Sequence, residues 1–255
     1  IFQTKYLPGA GDMLTNYVVC WGSNANGAVG PNGAQWSWGV HWNASPVWIR
    51  HGALATAYVT QLAAAAKSTC ALTGANAIAC WGGSGGATNP TAVVKTALGN
   101  ETISKIVGAG TDGDGYCALT TVGKTYCWGT AGLSRPTQVW SGLSSISDVS
   151  LGGQGMCAIS AGKVYCAPVN SAMTAADQRT SVIGGALAGA TAVDVESGAS
   201  TSCAMVTTAG VLTCWGSNAK GEFGNETTDA SGTEPAAGSG FACPVGATMS
   251  GSTCA

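Results

Sequence analysis

Charge is the first thing this chain has little of: only 9% of its 255 residues are Asp, Glu, Lys or Arg, and the formal net charge is −2. The ten Lys and Arg residues stand singly from Lys5 to Lys220, so there is no basic footprint for nucleic acid or an anionic membrane surface. Histidine is nearly absent, with His41 and His51 alone, which leaves few ways to build a catalytic triad or an imidazole-rich metal site. Long apolar runs are missing too, and nothing approaches the roughly 18–20 apolar residues of a membrane-spanning helix. Phe occurs three times and Leu is sparse, against 39 glycines. That balance fits many short strands joined by tight turns better than a helical core. The opening Ile1-Phe2-Gln3-Thr4-Lys5 has no initiator Met and no signal-peptide plan, so the expectation is a processed or excised piece of something longer.

Cysteine, by contrast, is abundant. There are eleven, none in a Cys-x-x-Cys pair, and this usage points to an oxidising compartment rather than to metal binding. Three Asn-x-Ser/Thr sequons agree with that reading, at Asn43, Asn100 and Asn225; Pro46 weakens the first. One phrase keeps returning. Cys70-Ala71-Leu72 leads to Cys80-Trp81-Gly82, Cys117-Ala118-Leu119 to Cys127-Trp128-Gly129, and Cys203-Ala204-Met205 to Cys214-Trp215-Gly216. Cys157-Ala158-Ile159 leads to Cys166 but ends in Ala167-Pro168, and Cys20-Trp21-Gly22 shows the second half only. The second cysteines recur at intervals of 60, 47, 39 and 48 residues, a length that holds four strands and their turns. Between the phrases lies a second recurring element, Val59-Thr60-Gln61-Leu62, Ile103–Val107, Ile146–Leu151 and Ala192–Val195, which reads as a half-buried strand. The run Leu62–Ala66 has helix propensity in isolation, but its place in the repeat predicts a strand.

After Cys20-Trp21-Gly22 comes Ser23-Asn24-Ala25-Asn26-Gly27-Ala28-Val29-Gly30, and the same wording returns at Ser217-Asn218-Ala219-Lys220-Gly221-Glu222-Phe223-Gly224. This pattern resembles the repeat of the regulator-of-chromosome-condensation family of β-propellers, more closely its secreted, disulfide-bearing variants. The resemblance covers residues 15–224 and implies an all-β fold of four-stranded blades. The family commonly closes with seven; five second-half phrases are visible here, so five to seven blades, complete or incomplete, are open. Within such a blade the two cysteines, about ten residues apart, can face each other across a hairpin. The expected pairs are Cys70–Cys80, Cys117–Cys127, Cys157–Cys166 and Cys203–Cys214. Cys20 lacks a partner near Ala10, where the other hairpins would place one, and is expected to pair upstream of the present start or to remain free.

The organisation expected is therefore a propeller over residues 1–226, a polar small-residue linker over 227–240 and a Cys-rich tail over 241–255. The tail resembles the opening of an epidermal-growth-factor or ephrin-receptor-like module, with Cys243 bridged to Cys254. Gly30–His51 reads as an insertion carrying Trp36, Trp38, Trp42 and Trp48. Exposed, these rings would suit a sugar or a partner surface; packed, they would cover a blade edge.

Catalytic chemistry is thin. Cys20 with His41 or His51 is a conceivable thiol pair, Thr111–Gly115 resembles the start of a calcium loop but lacks its later carboxylates, and Asp148, Asp194 and Glu196 are candidate glycosidase carboxylates with nothing to set their separation. The expectation is a non-enzymatic extracellular or cell-surface module without cofactor. Its expected partners are other extracellular proteins, copies of itself in a repeating assembly, or a glycan bound by the Trp36–Trp48 cluster.

Overall fold

The computed structural model describes residues 3–5, 17–24, 26–30, 42–49, 51–83, 87–109, 114–129, 133–153, 155–167, 180–182, 187, 189–206, 211–224, 228, 249–250 and 253–254. These form five successive antiparallel sheets, each one blade. Blade 1 holds β1 (Gln3–Lys5), β2 (Tyr17–Ser23) and β3 (Trp42–Ile49). Blade 2 is a four-stranded meander of β4 (Val59–Ala64), β5 (Ser68–Thr73), β6 (Ile78–Gly82) and β7 (Ala87–Ala92). Blade 3 repeats it with β8 (Ile103–Gly108), β9 (Tyr116–Thr120), β10 (Thr125–Trp128) and β11 (Thr137–Val139). Blade 4 does so with β12 (Ile146–Leu151), β13 (Met156–Ser160), β14 (Lys163–Ala167) and β15 (Thr180–Val182). Blade 5 shows β16 (Ala192–Ser197), β17 (Thr201–Val206) and β18 (Val211–Gly216). A short hairpin of β19 (Met249–Ser250) and β20 (Thr253–Cys254) follows.

The core is distributed, with one apolar cluster at each boundary between neighbouring blades. Val18, Cys20 and Ile49 of blade 1 meet Val59, Ala71 and Trp81 of blade 2. On its other side blade 2 turns Cys70, Leu72 and Ile78 toward Ile103, Ile106 and Tyr126 of blade 3. Leu119 of blade 3 packs with Val139, Ile146 and Val149, and Ile159 of blade 4 with Ala192, Val195 and Ala204. Alternate side chains of one strand thus serve opposite boundaries, which is why β5, β9 and β13 are buried along their whole length. Leu62-Ala63-Ala64 is strand, as expected, with Ala63 packed into the second boundary; small side chains let the blades approach, and packing outweighs propensity.

Four disulfides close the hairpins, Cys70–Cys80, Cys117–Cys127, Cys157–Cys166 and Cys203–Cys214, with Cα atoms 4.0–4.1 Å apart. In each the two cysteines are direct cross-strand partners. The Trp-Gly that follows the second cysteine has a steric reason. Gly129 and Gly216 sit at φ 75° and 101°, and a Cβ there would run into the carbonyl oxygens of Asp114 and Ser200.

The recurring Ser-Asn-Ala-x-Gly wording is a side-chain-closed turn. Asn24 Oδ1 accepts the Val29 N–H at 2.8 Å, and Asn218 Oδ1 accepts the Phe223 N–H at 2.9 Å. The backbone bonds also match, Gly27 N–H to Asn24 O and Gly221 N–H to Asn218 O at 3.0 Å each. Asn76, at φ 59°, performs a related task between blades: its Oδ1 accepts the Ile103 N–H at 2.7 Å and its Nδ2 donates to Glu101 O at 3.0 Å.

Cys20 lies on β2, which pairs with β1 (Gln3–Lys5) on one side and with β3 on the other, and of the two outcomes expected for it the structure has the second, a buried free thiol. One expectation needs adjusting. The segment 30–51 is not wholly an insertion, because Trp42–Ile49 is a blade strand paired with β2 from Val18↔Ile49 to Ser23↔Trp42.

Candidate functional site

The first strands of blades 2 to 5 lie side by side around the axis, and their sequences align as Val-Thr-Gln-Leu, Ile-Ser-Lys-Ile, Ile-Ser-Asp-Val and Ala-Val-Asp-Val. At the second position of each the register shifts by one residue. Thr60, Ser104 and Ser147 use this bulge to donate their hydroxyls to Leu72 O, Leu119 O and Ile159 O at 3.2, 3.1 and 3.4 Å. Val193 takes the fourth place and is 45% exposed.

The third position reaches across to the next blade. Gln61 Nε2 donates to Ser104 O at 2.8 Å while its Oε1 accepts the Ile106 N–H at 3.0 Å. Asp148 Oδ2 accepts the Val195 N–H at 3.0 Å, the same place two blades further round. Lys105 has no acceptor to offer, and instead places Nζ 2.7 Å from Asp148 Oδ1 and 3.7 Å from Glu196 Oε1. Ser150 extends the line, donating to Glu196 Oε2 at 3.1 Å and accepting the Ser197 N–H at 2.8 Å. The result is a polar seam that stitches four blades together.

Its electrostatics follow from burial and proximity. Burial works to lower the Lys105 pKa, but the hydrogen bond and charge of Asp148, with the charges of Glu196 and Asp194, outweigh it and hold the ammonium above its ordinary value. Burial, then the hydrogen bond and charge of Asp148, push the Asp194 carboxyl up against the opposing pull of Lys105. The candidate carboxylates Asp148, Asp194 and Glu196 are therefore brought together around Lys105. Among the described residues no group of three or more His, Cys, Asp and Glu is arranged to hold a metal ion, and no helix is long and apolar enough to cross a membrane.

Other candidates are dispersed. Trp48 is described and 43% exposed; Trp42 and Asn43 lie on β3 with only their backbone described, and Trp36, Trp38 and His41 fall outside the described residues. Asn100 is exposed at φ 57°, whereas Asn225 and Cys243 lie outside, so the Cys243–Cys254 pairing does too. Of Thr111–Gly115, Asp114 accepts the Ser68 hydroxyl at 2.9 Å, joining blades 2 and 3. The Cys20 thiol, 1% exposed, is pushed up to about 12 by burial, which opposes a nucleophilic role; His51 is half-buried. The seam residues Gln61 and Lys105 are not marked by any catalytic motif; their signal is the shared third position of the aligned strands.

No protein-family model matches the sequence, and no curated protein sequence matches it. Solved structures do. Human WBSCR16 superposes with a TM-score of 0.68 at 16% identity, over 86% of this chain and 63% of that one. Prp20p of Saccharomyces cerevisiae gives 0.67 at 16%, over 92% of this chain and 61% of that one. Yeast RCC1 (Prp20) in its complex with Kap60 gives 0.67 at 15%, over 97% and 67%. The fold is that of an RCC1-like β-propeller. This chain spans roughly three fifths of the first two relatives. Identities this low carry the fold alone, while the four disulfides speak for folding in an oxidising compartment such as the secretory pathway.

Proposed function

We propose that this RCC1-like propeller is a structural and interaction module of an extracellular or cell-surface glycoprotein, working by contact with other proteins and not by catalysis. The observation that carries the reading is the placement of the bridges: Cys70, Cys117 and Cys157 are buried at blade boundaries, so oxidation is built into the packing of the scaffold. The polar seam supports it, since its side chains are engaged in holding blades together. Expression through the secretory pathway tests the reading. The chain should emerge with all four bridges formed, with a glycan at Asn100, and should be retained on extracellular matrix in a manner abolished by reduction. Secretion of unglycosylated protein that stays wholly in the medium would sink it.

Carbohydrate binding is the second reading, favoured by the exposed Trp48 ring on the strand that carries the Asn43 sequon. A glycan array with wild type and Trp48→Ala separates the two; a sugar bound by the first and lost by the second supports the lectin.

A further inference from the structure

Six large apolar side chains stand exposed among the described residues, and the two most exposed, Val94 at 65% and Val122 at 59%, belong to one loop cluster at the end of blades 2 and 3. Val94 opens the short 3-10 helix Lys95–Leu98 that follows β7. Val122 tips the hairpin between β9 and β10, where the Gly123 N–H donates to Thr120 O at 3.0 Å. Between the two valines runs Gly99-Asn100-Glu101-Thr102, tied to both sides. The Asn100 N–H donates to Lys95 O at 3.2 Å, and Thr102 O accepts the Thr121 N–H at 2.8 Å.

That connecting loop is a sequon whose two reacting groups lie on the outside. Asn24, Asn76 and Asn218 each commit their side-chain oxygen to a backbone N–H. Among the described residues the Asn100 carboxamide and the Thr102 hydroxyl make no hydrogen bond, and both residues are exposed. Glu101 between them turns the other way, with its side chain 19% exposed and Oε1 2.6 Å from Lys124 Nζ. Gly99 and Asn100 are both left-handed, at φ 69° and 57°, and a Cβ at Gly99 would meet the Tyr126 hydroxyl. The turn is thus pressed onto blade 3 while the Asn100 side chain stays clear of it.

We propose that an N-linked glycan on Asn100 folds back over this end of the propeller, the first two sugars of its core covering Val94 and Val122. The inference rests on the glycoprotein reading and adds what the sugar touches. Transfer from a lipid-linked diphosphate oligosaccharide forms the bond from Asn100 Nδ2 to C1 of N-acetylglucosamine, breaks the bond from C1 to the diphosphate oxygen, and releases one amide proton with the lipid diphosphate. Pyranose rings carry C–H faces, and removing those faces and the valine methyls from water together favours the contact. Because each valine sits one backbone hydrogen bond away from the sequon loop, a single glycan serves both. A covered end also leaves contact with other proteins to the remaining faces.

The test uses the full 255-residue chain secreted from eukaryotic cells, with occupancy of Asn100 read from the mass of its peptide. Nuclear Overhauser contacts should join core N-acetylglucosamine protons to the Val94 and Val122 methyls. Asn100→Gln should lower the thermal unfolding midpoint by about 2–4 °C. In a Val94→Ser, Val122→Ser background the same change should lower it by less than about half as much, the cost of Gln in left-handed backbone being common to both and cancelling. Both valines are exposed, and formation of the four bridges checks that the serine variant is folded. Val193→Thr changes an exposed valine on another strand to the residue type that Thr60 supplies at the same place, and it should leave the Asn100→Gln shift unaltered. An occupied Asn100 without these contacts, or with equal shifts in the two backgrounds, overturns the proposal and leaves the glycoprotein reading in place. An unoccupied Asn100 in protein still retained on matrix overturns it too, with the contact-module reading intact. No glycan at any sequon and no retention would remove that reading as well.

Discussion

Lys105 Nζ lies 2.7 Å from Asp148 Oδ1 across the boundary between the third and fourth blades, with the Asp148 side chain 10% exposed. Lys105→Met leaves that carboxylate with the Val195 N–H and no cation, and should cost about 1.5–3 kcal/mol in denaturant unfolding. Asp148→Asn should cost less, because an amide oxygen still accepts from Val195, and the double variant should recover part of the loss. Because the Lys105 pKa is raised on folding, the pair's contribution is fully present below the ordinary lysine value and is lost as pH rises through the folded one. Strict additivity of the two single changes would show that the pair does not couple the blades.

Two bridges of nearly equal loop length, Cys117–Cys127 and Cys203–Cys214, sit in different surroundings. Loop entropy alone assigns each about 2.5–3 kcal/mol. The sulfurs of the first also touch Met156 Sδ at 3.4 and 3.6 Å inside a closed boundary. Replacing Cys117 and Cys127 by Ala should therefore cost about 1–2 kcal/mol more than replacing Cys203 and Cys214. Equal losses in guanidinium unfolding would mean that burial of the bridge adds nothing.

The blade repeat and its four bridges could be read from the sequence because blades 2 to 5 each state the cysteine pair again at nearly the same spacing, from Cys70, Cys117, Cys157 and Cys203. The seam was half legible: Asp148 and Asp194 draw the eye as carboxylates, but Gln61 and Lys105 join them only when the strands are aligned, because side chains from blades some 45 residues apart meet through register and not through local pattern. Segment 30–51 misled for the opposite reason. Its tryptophans resemble a loop's exposed cluster, yet Trp42 and Trp48 lie on β3, where Trp48 pairs with Val19, a contact that periodicity cannot reveal. Met205 reads as one more apolar residue of the phrase, yet its side chain is 40% exposed, which the phrase alone does not reveal.

Cys20 faces Val18, Ile49 and Trp81 at the first boundary, and burial pushes its pKa up to about 12. Iodoacetamide at pH 8 should leave Cys20 unmodified in the native protein and alkylate it within minutes in denaturant, read from the mass of its peptide. Cys20→Ala should then cost only about 1 kcal/mol. Rapid native alkylation would show that blade 1 opens from blade 2 far more readily than the other boundaries.

Asp194 is the carboxyl whose environment opposes its charge, through burial first and then through Asp148. A carboxyl pKa raised on folding makes stability fall as pH climbs from the ordinary Asp value of 3.8 through the folded one, because the native state holds its proton longer than the unfolded chain does. At pH 7 the full penalty is present. Asp194→Asn should therefore raise the unfolding midpoint at pH 7 by an amount equivalent to at most about 1 kcal/mol, the group being only half-buried and partly screened by solvent. Below pH 3.8, where the carboxyl is protonated in both states, the difference should vanish. If the variant is instead less stable at pH 7, the attraction between Asp194 and Lys105 outweighs the repulsion from Asp148, and the seam holds its lysine with three carboxylates rather than two.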